Sequence, residues 1–170
     1  MEDLNFAGLV FCHVKSNSLF IGEDRGGWIY ASQRPKHEVR CPDFFITKEP
    51  LTLSELSSIL DSELSPGDET TWNKERLSAI ISLLNEDIND LVSDLEGEWE
   101  VRCPTQSEWI HAKNSKIINA KSGTKEILAD AVSSNYRGAM MDGRPRRFEG
   151  HGPMQWHTAT MEIHPNDDSV

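Results

Sequence analysis

A strand pattern that runs directly into a helix start constrains the fold of this chain more than any other feature. Polar and apolar residues alternate over 98–103, which is the period of a β-strand. Pro104 ends the alternation, and Thr105 followed three residues later by Glu108 forms the capping box that opens an α-helix. Trp109 falls on the first turn, where it can fix the helix to the core. The sequence therefore predicts a strand that leads into a capped helix.

The strongest periodic pattern in the chain indicates a long amphipathic helix. Apolar residues recur with spacings of four and three, which places them on one helical face. They are Leu77, Ile81, Leu84, Ile88, Leu91 and Leu95, with Ile80 and Val92 widening the stripe. Gly97 is expected to end this helix of roughly five turns. We interpret the stripe as a core-packing face.

Short strand patterns and loops fill the remainder of the chain. Strands are predicted at 9–13, 18–22, 28–31, 37–41, 44–46 and 156–164, and a helix at 52–60. Residues 125–131 suit either a helical turn or a strand, whereas 61–71 and 137–151 are expected to be loops. Two or three helices among many short strands define an α+β pattern. We expect residues 1–164 to form one domain and 165–170 a disordered tail.

Charge and cysteine content limit the partners and the compartment. The 170 residues carry a formal net charge of −11, which repels phosphate backbones, so no nucleic-acid partner is expected. No apolar run approaches about 18 residues, and the acidic N-terminus lacks the basic start of a secretory signal, so neither a membrane partner nor export from the cytoplasm is predicted. Cys12, Cys41 and Cys103 form no C-x-x-C pair and are expected to be reduced, buried thiols.

Four landmarks in order resemble the formylglycine-generating enzyme (sulfatase-modifying factor) family. The run RCPTQSEWIHA at 102–112 is similar to the family signature R-L-P-T-x-x-E-W-E-Y-A. Ahead of it stand RPKHEV at 34–39, FFITKEPLT at 44–52 and TTWNKE at 70–75, each in the family's order and spacing. The resemblance implies a compact variant of the C-type-lectin fold, with short strands, two or three helices and long loops.

The second half departs from the family pattern. The family inserts a long segment with calcium ligands after its E-W helix, whereas here only about ten residues precede GTKEILAD at 123–130, so no calcium site is expected. The family's oxidase uses two late cysteines for copper, and soft thiolates are the ligands that select Cu(I). No cysteine follows Cys103, so the copper site cannot be assigned and no catalytic residue or cofactor is predicted.

Three late histidines offer an alternative metal site. A sister branch of the family uses three histidines and an additional helical domain to bind non-haem iron, and His151, His157 and His164 are the replacement ligands that this chain could supply. However, His157 and His164 are seven residues apart, so a regular strand would point them to opposite faces. Surface or loop histidines are the simpler interpretation.

The late loop is the predicted ligand-binding face. Its candidate residues are Arg137, Asp142, Arg144, Arg146, Arg147, His151 and Trp156. The arginines can clamp a carboxylate or phosphate, or they can pair with some of the excess acidic residues. Trp156 can stack on a sugar or aromatic ligand, or it can pack in the core.

These features predict a non-catalytic binding or interaction module that kept the scaffold and lost the copper cysteines. Its partner would be a protein or small molecule contacted through the late loop, and homo-oligomers are allowed because a shortened fold exposes surface. Two alternatives stay open. One is a metal-dependent oxidoreductase of the same family with a rearranged histidine site, and the other is a variable ligand-displaying protein with a lectin-type fold.

Overall fold

The computed structural model describes residues 2–24, 34–51, 55, 74–92, 95, 97–119, 125–130, 139–145 and 156–158. Within these ranges the elements are β1 (Leu4–Phe6), β2 (Leu9–Val14), β3 (Asn17–Ile21), β4 (His37–Cys41), β5 (Phe44–Thr47), α1 (Lys74–Leu91), α2 (Gln106–Asn114), β6 (Lys125–Ile127) and β7 (Trp156–Thr158). The predicted α+β class, with short strands and two helices in this part of the chain, is confirmed.

Local sequence patterns located most of these elements. The strands predicted at 9–13, 18–22, 37–41 and 44–46 occur within one residue of their expected bounds, and 125–131 begins as a strand. The predicted strand at 28–31, the loop at 61–71, the tail at 165–170 and, except for helical Glu55, the helix at 52–60 lie outside the described residues. Of the closing strand, only 156–158 is described.

The strands form three antiparallel sheets. One sheet has the order β1-β2-β5, and β3 pairs with β4 and β6 with β7. Hairpin β1–β2 turns through Ala7 and Gly8, whose φ angles of 49° and 77° are both positive. Two positive φ values in a two-residue loop match the right-handed twist of the flanking strands.

Helix α2 packs on the β3–β4 sheet and seals the main core. Val14, Val39, Cys41 and Ala112 are buried there together with Ile21 and Phe44. His111, itself buried, donates from Nε2 to the Lys15 carbonyl at 2.8 Å, and its ring meets Phe44 edge-on. Helix, sheet and the β2–β3 connection are thereby joined in one unit.

Helix α1 packs a second core cluster with the predicted stripe. Ile80, Leu84 and Val92 are buried, and Phe6 and Leu51 pack against the first two. The helix ends at Leu91, six residues before Gly97, so the predicted C-terminus is wrong. Val92 still donates to the Ile88 carbonyl, but the chain then turns, and the φ of 104° at Gly97 belongs to the loop that follows.

The predicted strand at 98–103 is also wrong, because its backbone pairs with a side chain instead of a strand. Asn85 on α1 donates from Nδ2 to the Val101 carbonyl and accepts the Val101 N–H at Oδ1, both at 2.8 Å. The same Nδ2 donates to the Ile81 carbonyl at 2.8 Å. At Val101, one amide side chain therefore satisfies the backbone N–H and C=O that a neighbouring strand would otherwise pair.

We expect Asn85→Ala to lower the free energy of unfolding by roughly 2 kcal/mol, because it leaves a partly buried backbone N–H and C=O without partners. Asn85→Asp keeps the acceptor for the Val101 N–H but places a carboxylate oxygen against the Val101 and Ile81 carbonyls, so it should lose at least as much. Urea denaturation measures both, with Glu86→Ala on the exposed face of α1 as the control. Equal stability of Asn85→Ala and Glu86→Ala would contradict the pairing.

Candidate functional site

A cavity of about 540 Å³ lies between the first sheet, helix α1 and the 98–104 segment. Its apolar lining comes from separate elements: Phe6 from β1, Phe11 from β2, Phe45 from β5, and Leu77 and Ile81 from α1. Each of these five side chains is only partly buried. Because Leu77 and Ile81 are exposed to the cavity, the apolar stripe of α1 forms part of the cavity wall as well as a core face.

Aromatic rings form the part of the wall nearest the 98–104 segment. Trp99 tilts against Phe45, with ring centroids 5.4 Å apart and an interplanar angle of 56°. Phe6 and Phe11 make a second tilted pair at 6.4 Å. Tilted aromatic pairs are favourable arrangements and present both faces and edges to a neighbouring molecule.

A buried ion pair forms the polar wall. Arg102 Nη1 and Nη2 donate to Glu108 Oε2 and Oε1, each at 2.8 Å, which is a bidentate fork. The side chains are 27% and 5% exposed, so both charges are largely removed from solvent. Burial alone would lower the pKa of Arg102, but the hydrogen bonds and charge of Glu108, supported by Glu100, hold it above its ordinary value.

The same glutamate caps helix α2, as the sequence predicted. Thr105 accepts the Glu108 N–H, and Glu108 Oε2 accepts the Thr105 N–H at 2.7 Å, which completes the capping box. Asp130 Oδ2 accepts the N–H of Gln106 at 2.6 Å, so a second carboxylate satisfies the first turn. Both acids lie at the positive end of the helix dipole.

A second acid, Glu126 on β6, also lines the cavity. Its Oε2 accepts the indole N–H of Trp109 at 3.0 Å, and Trp109 is buried against Leu128. Burial raises the pKa of the Glu126 carboxyl, and the Trp109 hydrogen bond and the charge of Lys113 oppose that shift without cancelling it. Glu126 is therefore an acid whose charge the surrounding protein compensates only in part.

The charged lining is strongly acidic. Its members among the described residues are Asp43, Glu98, Glu100, Arg102, Glu108 and Glu126. Arg102 is the one base among them, and the exposed Glu98 and Glu100 mark the side that is open to solvent. The arrangement joins an apolar body to a few converging polar groups, which is the usual anatomy of a small-molecule site.

The three thiols show no sign of activation. Burial raises the pKa of Cys12, Cys41 and Cys103, so each is protonated near neutral pH. A protonated thiol is neither a good nucleophile nor a metal ligand. All three are free cysteines, and Cys103 lines the cavity as a partly buried side chain.

Of the predicted late-loop residues, the structure brings Asp142 and Arg144 together. Arg144 donates from Nε to Asp142 Oδ2 at 2.7 Å, and both side chains are exposed. The turn is fixed to β4 because Arg40 N–H donates to the Met141 carbonyl at 2.8 Å. Gly143, with φ of 80°, packs so closely that an added Cβ would lie 2.9 Å from Pro42 Cδ.

The structure does not describe the side chains of the other predicted site residues. Arg137, Arg146, Arg147 and His151 lie outside the described residues. For Trp156 the backbone alone is described, and it pairs with Ile127 across the β6–β7 ladder. In the described ranges, no three His, Cys, Asp or Glu side chains come together as a metal site.

The sequence predicted neither the cavity nor the places of Glu108 and Glu126 in its wall. Arg102 and Glu108 both belong to the motif at 102–112, but the fork between them was not predicted. The sequence around Glu126, a single acid beside Ile127, contains no pattern that indicates its place in the cavity wall. Its role depends on Trp109, which is 17 residues away in sequence.

Comparisons with known proteins identify a related fold. No model of a protein family matches the sequence, and no curated protein matches it. The solved structure of PvdO from Pseudomonas aeruginosa is similar, with a TM-score of 0.55 and 13% sequence identity. The similarity covers 89% of this chain and 82% of that chain. At this identity the likeness establishes the fold and not a shared activity.

The described helices also bear on membrane association. Neither α1 nor α2 combines the length and the apolar character that a bilayer-spanning helix requires, and this holds for the parts of the chain that the structure describes.

We expect Glu108→Gln to lower the free energy of unfolding by roughly 3 kcal/mol, because it leaves Arg102 partly buried without its counter-charge. Glu100→Gln removes an acid from the same arginine at a site that is 66% exposed, so its effect should stay below about 1 kcal/mol. Chemical denaturation of the two variants makes a matched comparison. Similar losses of unfolding free energy in the two variants would show that the buried Arg102–Glu108 fork stabilises the fold no more than the exposed contact with Glu100.

Proposed function

We propose that this protein is a non-catalytic binding module that holds a small, largely apolar molecule in the cavity between α1 and the first sheet. The observation that supports the proposal is the cavity itself. Its volume of about 540 Å³ falls within the range of small-molecule sites, and its walls are mainly apolar with a few converging polar groups.

The scaffold of this module is, in our proposal, a compact relative of the formylglycine-generating enzyme fold. The four sequence landmarks support it, and so does the way the structure uses one of them. The capping residues Thr105 and Glu108 and the buried Trp109 all have structural roles at the start of α2. A motif that builds the scaffold can persist when the catalytic cysteines of the family are missing.

Filling the cavity should abolish binding. Ile81→Trp places a larger side chain in the wall, whereas Ser82→Trp adds the same group at an exposed position of the same helix. With naphthylmethanol as a neutral probe, isothermal titration calorimetry should show binding to the wild type and Ser82→Trp and none to Ile81→Trp. Equal binding by both variants, with thermal unfolding showing both folded, would place the probe elsewhere and count against the proposal.

Metal analysis separates this proposal from the oxidoreductase alternative. An oxidoreductase built on His151, His157 and His164 requires stoichiometric copper or iron, whereas the binding module takes up the probe without either. Elemental mass spectrometry on protein purified without chelator, combined with the titration, distinguishes the two. Stoichiometric metal that is lost in His151→Ala would favour the enzyme.

A second candidate function is association with a protein partner through the late loop. The anchored turn exposes Met141 by 60%, and Phe20 on the neighbouring strand β3 is exposed by 65%. Phe20 pairs with Glu38 on β4, two residues before Arg40, whose N–H holds Met141. Two exposed apolar side chains therefore flank the same strand, which is the kind of patch that marks an interaction site.

A second copy of this chain is the partner that is simplest to test. If this surface forms a homodimer, sedimentation velocity at tens of micromolar should show a dimer for the wild type. Met141→Asp should shift it to monomer, while Val10→Asp, at an exposed position of β2, should not. A wild type that sediments as a monomer would exclude the homodimer.

A further inference from the structure

Glu126 is the acid of the cavity wall whose charge the surrounding protein compensates only in part. One of its oxygens, Oε2, accepts the Trp109 N–H, and Oε1 has no hydrogen-bond partner among the described residues. The side chain is half-buried, and desolvation is the main cause of its raised pKa. A partly desolvated carboxylate with a vacant acceptor is stabilised by any cation that reaches it.

The remaining acids of the cavity wall already have partners or face solvent. Asp43 accepts the Ser16 N–H at 2.7 Å and contacts His13 Nε2 at 3.1 Å. Glu108 and Glu100 both pair with Arg102, and this neutralises the single base among the described residues of the lining. Among the described residues of the lining, the charge left over is therefore negative and lies at Glu126, where Lys113 offsets it in part, with the exposed Glu98 adding to it at the open side.

The aromatic walls favour the same type of ligand. Trp99 and Phe45 both line the cavity, and their rings lie 5.4 Å apart. The faces of aromatic rings attract cations, and the attraction grows when the cation is removed from water. An apolar anion, in contrast, would meet both the ring faces and the acidic residues with unfavourable electrostatics.

We infer that the cavity selects an organic ammonium ion, that is, a protonated amine carried on an apolar body of one or two rings. The ammonium donates to Glu126 Oε1, and the apolar body lies against Trp99, Phe45 and the α1 side chains. This assignment rests on the proposed function and adds the chemical class of the ligand. It assigns a binding role to Glu126, outside the late loop that the sequence singled out.

The test uses three probes that share one ring system and differ in charge: naphthylmethylamine, naphthylmethanol and naphthoic acid. Calorimetric titration of the full chain near neutral pH should show the amine binding about tenfold more tightly than the alcohol, since a charged hydrogen bond is worth about 1.4 kcal/mol or more. The acid should bind most weakly of the three.

Glu126→Gln is the decisive variant, because a glutamine carbonyl can still accept the Trp109 N–H while the charge is lost. Glu126→Gln should weaken binding of the amine to the level of the alcohol and leave binding of the alcohol unchanged. Unchanged binding of the alcohol also shows that the cavity is intact. Glu86→Gln removes one negative charge from the exposed face of α1 and should preserve the tenfold preference.

The outcomes distinguish the proposed binding cavity from the proposed selection of an ammonium ion. If the alcohol binds and the amine binds no better, the ammonium assignment is overturned and the binding cavity stands. If Glu126→Gln keeps the preference for the amine, the assignment to Glu126 is overturned. If none of the three probes binds the folded wild type, the cavity function fails, and the ammonium assignment fails with it.

Discussion

The buried carboxylate of Glu108 is the interaction on which the rest of this structure depends. It closes the capping box with Thr105 and holds the Arg102 fork, so one side chain starts α2 and fixes the segment before it. That segment forms one wall of the cavity. A charge buried to this degree is tolerated only where every oxygen has a partner, and here Oε1 accepts from Arg102 and Oε2 accepts from Arg102 and Thr105.

The features that the sequence predicted well are those whose causes are local. The capping box at Thr105 needs residues within one turn, and the α1 stripe needs a period that any surrounding structure preserves. The strand predicted at 98–103 failed because the alternation there has a different cause: the backbone of Val101 pairs with Asn85, and no pattern at either site announces a contact across 16 residues. Hairpin β1–β2 was missed because Ala7-Gly8 is not among the strong turn pairs.

The candidate site was less predictable than the fold for a physical reason. Its walls come from β1, β2, β5, α1 and the 98–104 segment, so no stretch of sequence contains it. The α1 stripe was correctly interpreted as a core face at Ile80 and Leu84, yet Leu77 and Ile81 on the same face stay partly exposed and line a cavity. Hydrophobic periodicity identifies the face that turns inward. The periodicity does not indicate whether other side chains fill the space next to that face.

The apolar walls of the cavity are what link the proposed binding to the stability of the fold. Water can enter from the side of Glu98 and Glu100, but the aromatic walls offer it few hydrogen bonds. An apolar ligand that displaces such water restores the missing contacts, and its binding adds to the stability of the fold by mass action. In the proposed function, stability and binding are therefore coupled, because the ligand would cover apolar walls that water contacts poorly.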